Sequence, residues 1–147
     1  MCLINYKKIN LSGLKKPVTC YKVFQTTYNR LDSPLYDGFL FGSDWEVGKT
    51  RSLNCTLPYV DTPHNIHSQT DCAIYGNAFH TCCTLSGARK YKKWLDDTTY
   101  DATFAIAKCE VPLDSLFMYK GTAVVAYEDE GVPGYVSESL KIVKLIK

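Results

Sequence analysis

The chain has 147 residues, the usual size of one domain and long enough to bury a real core. Its formal charge of +2 does not supply the concentrated positive field that nucleic acid or an anionic membrane surface requires. Eleven Tyr and six Phe favour strands, and seven cysteines at irregular spacing suit reduced, mostly buried thiols better than a disulfide framework, which points to a cytoplasmic chain.

Residues 1–16 are Lys-rich with scattered apolar side chains and read as a surface arm or a short edge strand. They hold no apolar run of the length a signal peptide needs, and no later stretch approaches a membrane span. Removal of Met1 would make Cys2 a terminal nucleophile, but the Gly-rich and Asn-bearing context of amidotransferases is missing. Residues 18–24 form the first strand, started after Pro17, and apolar side chains on both faces give it a central position. Residues 25–37 are polar, carry Ser33-Pro34 and read as a loop; 38–42, Gly-Phe-Leu-Phe-Gly, read as a short aromatic strand or plug. The run Trp45-Glu46-Val47-Gly48-Lys49-Thr50 is not a phosphate-binding loop, because the position that needs the first glycine is Ser43. Residues 51–70 read as a long loop with one strand around 55–60.

The richest stretch is 71–95. Gly76-Asn77 favours a tight turn, and 78–83 alternate as a strand, with Phe79, Thr81 and Cys83 on one face and Ala78, His80 and Cys82 on the other. Thr84 caps a helix over about 84–95 whose stripe is Leu85, Ala88, Tyr91 and Leu95 and whose outer face is Arg89, Lys90, Lys92 and Lys93. Asp96-Asp97 end it. Residues 103–111 are the clearest strand, stopped by Pro112, with Ala105, Ala107, Cys109 and Val111 on one face. Residues 116–121 and 122–127 are two further strand-like pieces, 128–134 an acidic, turn-rich loop, and 139–146 a closing strand that sets Leu140, Ile142 and Ile146 against Lys141, Val143 and Leu145. The expected fold is therefore α+β: a single compact domain over 1–147, with a mostly antiparallel, twisted, split sheet and one main amphipathic helix.

Four kinds of chemistry have candidate residues in the sequence. Cys72, His80, Cys82, Cys83, His64 and His67 cluster in sequence, yet only the His-x-x-His pair approaches metal-ligand spacing, and adjacent Cys82 and Cys83 point to opposite faces; no metal is expected. His80 and Cys82 share a strand face but stand about 6 to 7 Å apart along it, too far for a nucleophile–base hydrogen bond. Glu128, Asp129 and Glu130 form a solvated acidic run. The basic helix face is the ordinary solvent side of an amphipathic helix, so nucleic acid is not an expected partner.

The Met1-Cys2-Leu3-Ile4 opening, the strand Cys20-Tyr21-Lys22-Val23-Phe24, the Gly-x-x-x-His strand from Gly76 to His80, the strand Ala105 to Pro112 and the tail Tyr135-Val136-Ser137-Glu138-Ser139-Leu140-Lys141-Ile142 resemble uncharacterised small accessory proteins of bacteriophages and prophages of gut bacteria. That resemblance implies a phage-encoded accessory protein in a host bacterial cytoplasm. More distantly, the layout resembles the ADP-ribosyltransferase-like fold, whose cleft takes NAD. The matching places are Tyr21 or Lys22 on the first strand, Phe79-His80-Thr81, and Ser137-Glu138-Ser139. Here the first strand has neither Arg nor His, and the acid falls one residue early at Glu138, on the opposite strand face.

The resulting expectation is a non-catalytic binding module for a nucleotide-type ligand, NAD or a relative, or for a host or defence protein. Its cleft would be lined by Tyr21, Lys22, Phe79, His80, Thr81, Tyr119 and Glu138. The alternatives are a diverged NAD-dependent ADP-ribosyltransferase with Glu138 as its catalytic candidate, and a structural subunit of a homo-oligomer with exposed aromatics at its interface. No membrane partner is expected.

Overall fold

The computed structural model describes residues 1–28, 30–32, 45–61, 73–124 and 130–147. In chain order the elements are β1 (Cys2–Lys8), a 3-10 turn (Leu11–Gly13), β2 (Val18–Thr27), β3 (Arg30–Asp32), β4 (Thr50–Ser52), β5 (Tyr59–Asp61), β6 (Ala73–Gly76), β7 (Phe79–Cys82), α1 (Leu85–Thr98), β8 (Thr103–Val111), β9 (Met118–Val124), β10 (Val132–Ser137) and β11 (Ser139–Ile146). The strands make one antiparallel sheet in the order β4-β11-β8-β2-β7-β10-β9-β1-β6-β5, with β3 as a hairpin partner of β2. It runs open from β4 to β5 without closing into a barrel, and the chain is a single compact α+β domain.

The sheet is split at its middle. β2 and β8 are registered from Val18↔Val111 to Thr26↔Thr103, whereas β2 and β7 share one pair, Tyr21↔Cys82. Each face carries its own core. On one, α1 lays Ala88, Tyr91 and Leu95 over Val23, Cys82, Phe104, Ile106 and Val136. On the other, Phe24, Phe79, Cys109, Leu140 and Ile142 surround Trp45 and are met by Leu11 of the 3-10 turn. β2 and β8 thus contribute side chains to both cores, Val23 and Ile106 to one and Phe24 and Cys109 to the other.

The Thr84 side chain caps α1, its hydroxyl accepting from the Gly87 amide at 3.0 Å. The helix runs through Asp96-Asp97 to Thr98, because Lys92–Asp96 (2.7 Å) and Lys93–Asp97 (2.8 Å) form i,i+4 ion pairs that support the last turn.

Several sequence expectations are corrected. Residues 2–8 are neither an arm nor an edge: β1 lies between β9 and β6 and buries Leu3 fully. The polar residues 25–27 continue β2 into the β3 hairpin instead of opening a loop. Over 118–124 a single strand, β9, joins the two expected pieces, residues 125–127 lying outside the described residues, and β10 begins inside the expected acidic turn. In β11 the register shifts between Ile142 and Lys144, so Val143 is an extra residue that reverses the alternation. Leu140 and Ile142 face the Trp45 core, while Ile146 pairs with Ile106 and packs on the helix side. The aromatic segment 38–42 lies outside the described residues.

Candidate functional site

The seven residues singled out from sequence do not share a surface. Lys22 and Thr81 are interior, as is Phe79, whose ring meets Trp45 edge-on at 5.0 Å between centroids. Strand alternation places these three on the Trp45 side. Lys22 is 2% exposed; its Nζ donates to the His80 carbonyl at 3.1 Å and lies 5.6 Å from the Phe24 ring centroid. The Thr81 hydroxyl is buried and has no hydrogen-bond partner among the described residues. Tyr21 and Tyr119 are half-buried against the helix-side core, Tyr119 edge-on to Tyr6 at 5.5 Å. His80, 1% exposed, also turns to that side, its Nε2 3.1 Å from the Ile74 carbonyl.

Glu138 sits at the corner between β10 and β11 and is 2% exposed. Its Oε2 accepts from the amides of Leu53 (2.8 Å) and Asn54 (2.9 Å), and its Oε1 from the Leu116 amide (3.2 Å) and the Ser139 hydroxyl (2.7 Å). Burial pushes this carboxyl up, but the hydrogen bonds outweigh it and hold the group below its ordinary value. Both oxygens are engaged in joining three chain segments, so the carboxylate is an anchor. His64, His67, Cys72, Glu128 and Asp129 lie outside the described residues.

An open cavity of about 630 Å³ lies elsewhere, between the β2–β3 hairpin, Trp45 and the end of β11. Its lining includes Thr26, Tyr28, Arg30, Trp45, Val47 and Leu145. Thr27 pairs with Arg30, and Tyr28 between them has a φ of 47°, the left-handed region that a bulky side chain rarely adopts. That conformation holds the Tyr28 ring 94% exposed at the rim. Arg30 is exposed and makes no ion pair among the described residues. The floor is firm: Trp45 is buried, edge-on to Phe24 at 5.3 Å and to Phe79 at 5.0 Å, with the Arg51 guanidinium 4.8 Å from its ring centroid. Thr26 and Thr103 hydrogen-bond each other across the β2–β8 ladder beside it.

Sequence reasoning missed this cavity because it joins residues from four separated segments. The one local signal was Thr27-Tyr28-Asn29-Arg30, a polar strand end carrying an aromatic and a cation with no apolar partner to bury either. Among the described residues no helix is long and apolar enough to cross a membrane. Comparison of the chain with protein-family models, with curated proteins and with solved structures finds no match.

Proposed function

We propose that the chain is a non-catalytic module that binds a nucleotide-type ligand in the cavity between Tyr28, Arg30 and Trp45. The observation that carries this reading is an exposed tyrosine in a strained backbone conformation, two residues from an exposed arginine, over a floor held rigid by two aromatic contacts. The two-residue connection between Thr27 and Arg30 imposes that conformation and thereby fixes where the Tyr28 ring stands. A planar base stacks on Tyr28, and a phosphate meets the Arg30 guanidinium in a charge-assisted pair. The volume lies within the range of small-molecule pockets. NAD and related dinucleotides are the first ligands to try. An accessory role in a phage-infected bacterial cytoplasm is the setting suggested by the sequence resemblance. The transferase reading lacks comparable support, since every oxygen of Glu138 is already used in anchoring.

Calorimetry with NAD, ADP, ATP and cyclic nucleotides tests the proposal. Tyr28→Ala and Arg30→Ala are each expected to weaken binding about tenfold or more while leaving the melting temperature unchanged, because both side chains are exposed. Lys22→Met and His80→Gln are expected to lower the melting temperature and leave the affinity alone. Absence of heat with every nucleotide removes the reading, and so does a loss of affinity confined to the Lys22 and His80 variants.

A further inference from the structure

Three cysteines stand in a row across the seam where the sheet divides. Cys109 on β8 is registered directly opposite Cys20 on β2. Cys83 follows directly on β7, its amide still bonded to the neighbouring β10, so the Tyr21↔Cys82 register brings it toward Cys20 from the other side, near enough for the two thiols to oppose each other's ionisation. Alternation turns all three toward the Trp45 face. Cys20 and Cys109 are fully buried, whereas Cys83 is partly exposed. The Cys83 backbone amide is tied to the Pro133 carbonyl at 2.9 Å, and the Tyr135 phenol and the Lys120 ammonium both bear on its thiol, with Lys120 over the Tyr135 ring at 5.9 Å. A reachable thiol beside a phenol and an ammonium, with a second thiol behind it, is the arrangement of an oxidisable pair.

We propose that Cys83 is an oxidation site for hydroperoxides and that Cys20 resolves it as a cross-strand disulfide. The Cys83 thiolate attacks a peroxide oxygen, the O–O bond breaks, and the alcohol or water that leaves takes up the proton the thiol gave off. Cys83 is then a sulfenic acid. Cys20 attacks that sulfur, the S–O bond breaks, and water departs with the second thiol proton. Over both steps two thiols lose two electrons, and the hydroperoxide accepts them.

The choice of pair follows from the sheet. Opposed residues on neighbouring strands have Cβ atoms roughly 4.5–5.5 Å apart, whereas a disulfide needs about 3.5–4.5 Å, so the strands must close by about 1 Å. The β2–β8 ladder is registered along its whole length and resists that movement. The β2–β7 seam, held by one register pair, is where closure can occur, so the bond forms between Cys20 and Cys83 and staples the two halves of the sheet. Burial raises the Cys83 thiol above its ordinary value of 9.0 while Tyr135 and Lys120 pull it back, so the reaction quickens as pH rises toward the ionisation of that thiol.

The test uses the full reduced chain, treated with a small excess of hydrogen peroxide at mildly alkaline pH. Remaining thiols are alkylated after denaturation, and the unreduced digest is mapped by fragmentation mass spectrometry. The expected product is a Cys20–Cys83 cross-link that persists in Cys109→Ala and is lost in Cys83→Ser. The oxidised chain is expected to melt about 5 °C or more above the reduced one. The melting temperature of reduced Cys83→Ser checks that this variant still folds. A link through Cys82 or any other cysteine, a sulfinic acid at Cys83 with Cys20 alkylated, or lower stability after oxidation overturns the proposal.

Discussion

Glu138 is a buried acid used as a brace, and its protonation state is part of the fold. Four donors from three chain segments converge on it, and hydrogen bonds to a charged group are each worth more than neutral ones. The native carboxyl titrates below its ordinary value of 4.5 and the unfolded one near it, so the unfolded state takes up the proton first as pH falls. The contribution is therefore complete above about pH 5 and is lost progressively as pH drops through the native value. Glu138→Gln keeps the shape but turns an amide group toward donors, and is expected to cost about 2–3 kcal/mol at neutral pH. Urea unfolding at pH 7 and at about pH 3.5 checks this: the deficit of the variant should shrink at the lower pH. An undiminished deficit would mean that the carboxylate charge is not what holds the corner.

At the scale of elements, two irregular strands set the packing. β1 shifts register between Ile4 and Lys7, with Asn5 at a φ of 50°, and this bulge presses onto Gly121 of β9. A Cβ on Gly121 would fall 2.5 Å from the Ile4 carbonyl oxygen and 3.0 Å from the Tyr6 Cα, both backbone atoms that cannot step aside. Gly121→Ala is expected to destabilise by about 2–3 kcal/mol in a denaturant titration. Gly13→Ala, where nothing lies within 4 Å of the new carbon, should stay within about 0.5 kcal/mol. Equal behaviour of the two would dismiss the close approach as the reason for the glycine. The same irregularities explain which elements could be read from sequence. β7, β8 and α1 were legible because alternation, a Thr cap and a helical stripe all pointed one way. β1 was hidden by its lysines, and β10 by Pro133-Gly134. That pair resembles a turn signal, but Gly134 is there because a Cβ would come within 2.7 Å of the Ala123 Cβ. In β11 the extra Val143 reversed faces that simple alternation assigned, so Ile146 was placed in the wrong core. The residues expected to line one cleft are scattered for a related reason. Lys22 and His80 are polar residues on strands, and in a sheet buried on both faces such residues become interior hydrogen-bonding groups.

For the molecule as a whole, the row of neutral thiols at the middle of the sheet sets an upper pH limit on folding. Burial pushes Cys20 well up and Cys109 up to about 12, the latter despite the Lys22 cation beside it. Tyr135, on the same face, rises to about 12 chiefly through burial, with Cys83 adding to it. All three are acids that the fold keeps protonated, so the unfolded chain releases its protons first as pH rises. Stability is unaffected well below the ordinary thiol value of 9.0 and falls as pH climbs from there toward the native values. Two fully buried thiols together give a slope of about 2.7 kcal/mol per pH unit, and Tyr135 adds less because it is partly solvated. Against a total of about 5–15 kcal/mol, the chain is expected to unfold cooperatively near pH 11. Melting temperatures at pH 7, 9 and 10.5 should show a steep alkaline limb that Cys109→Ala makes shallower, even though the substitution lowers stability at neutral pH. If the limb is equally steep in that variant, the buried thiols do not set the limit. Oxidation tests the same row from the other side: once Cys20 is tied to Cys83 it no longer titrates, so the oxidised chain should lose stability with pH at about half the thiol slope, with Cys109 as the remaining buried thiol in the row.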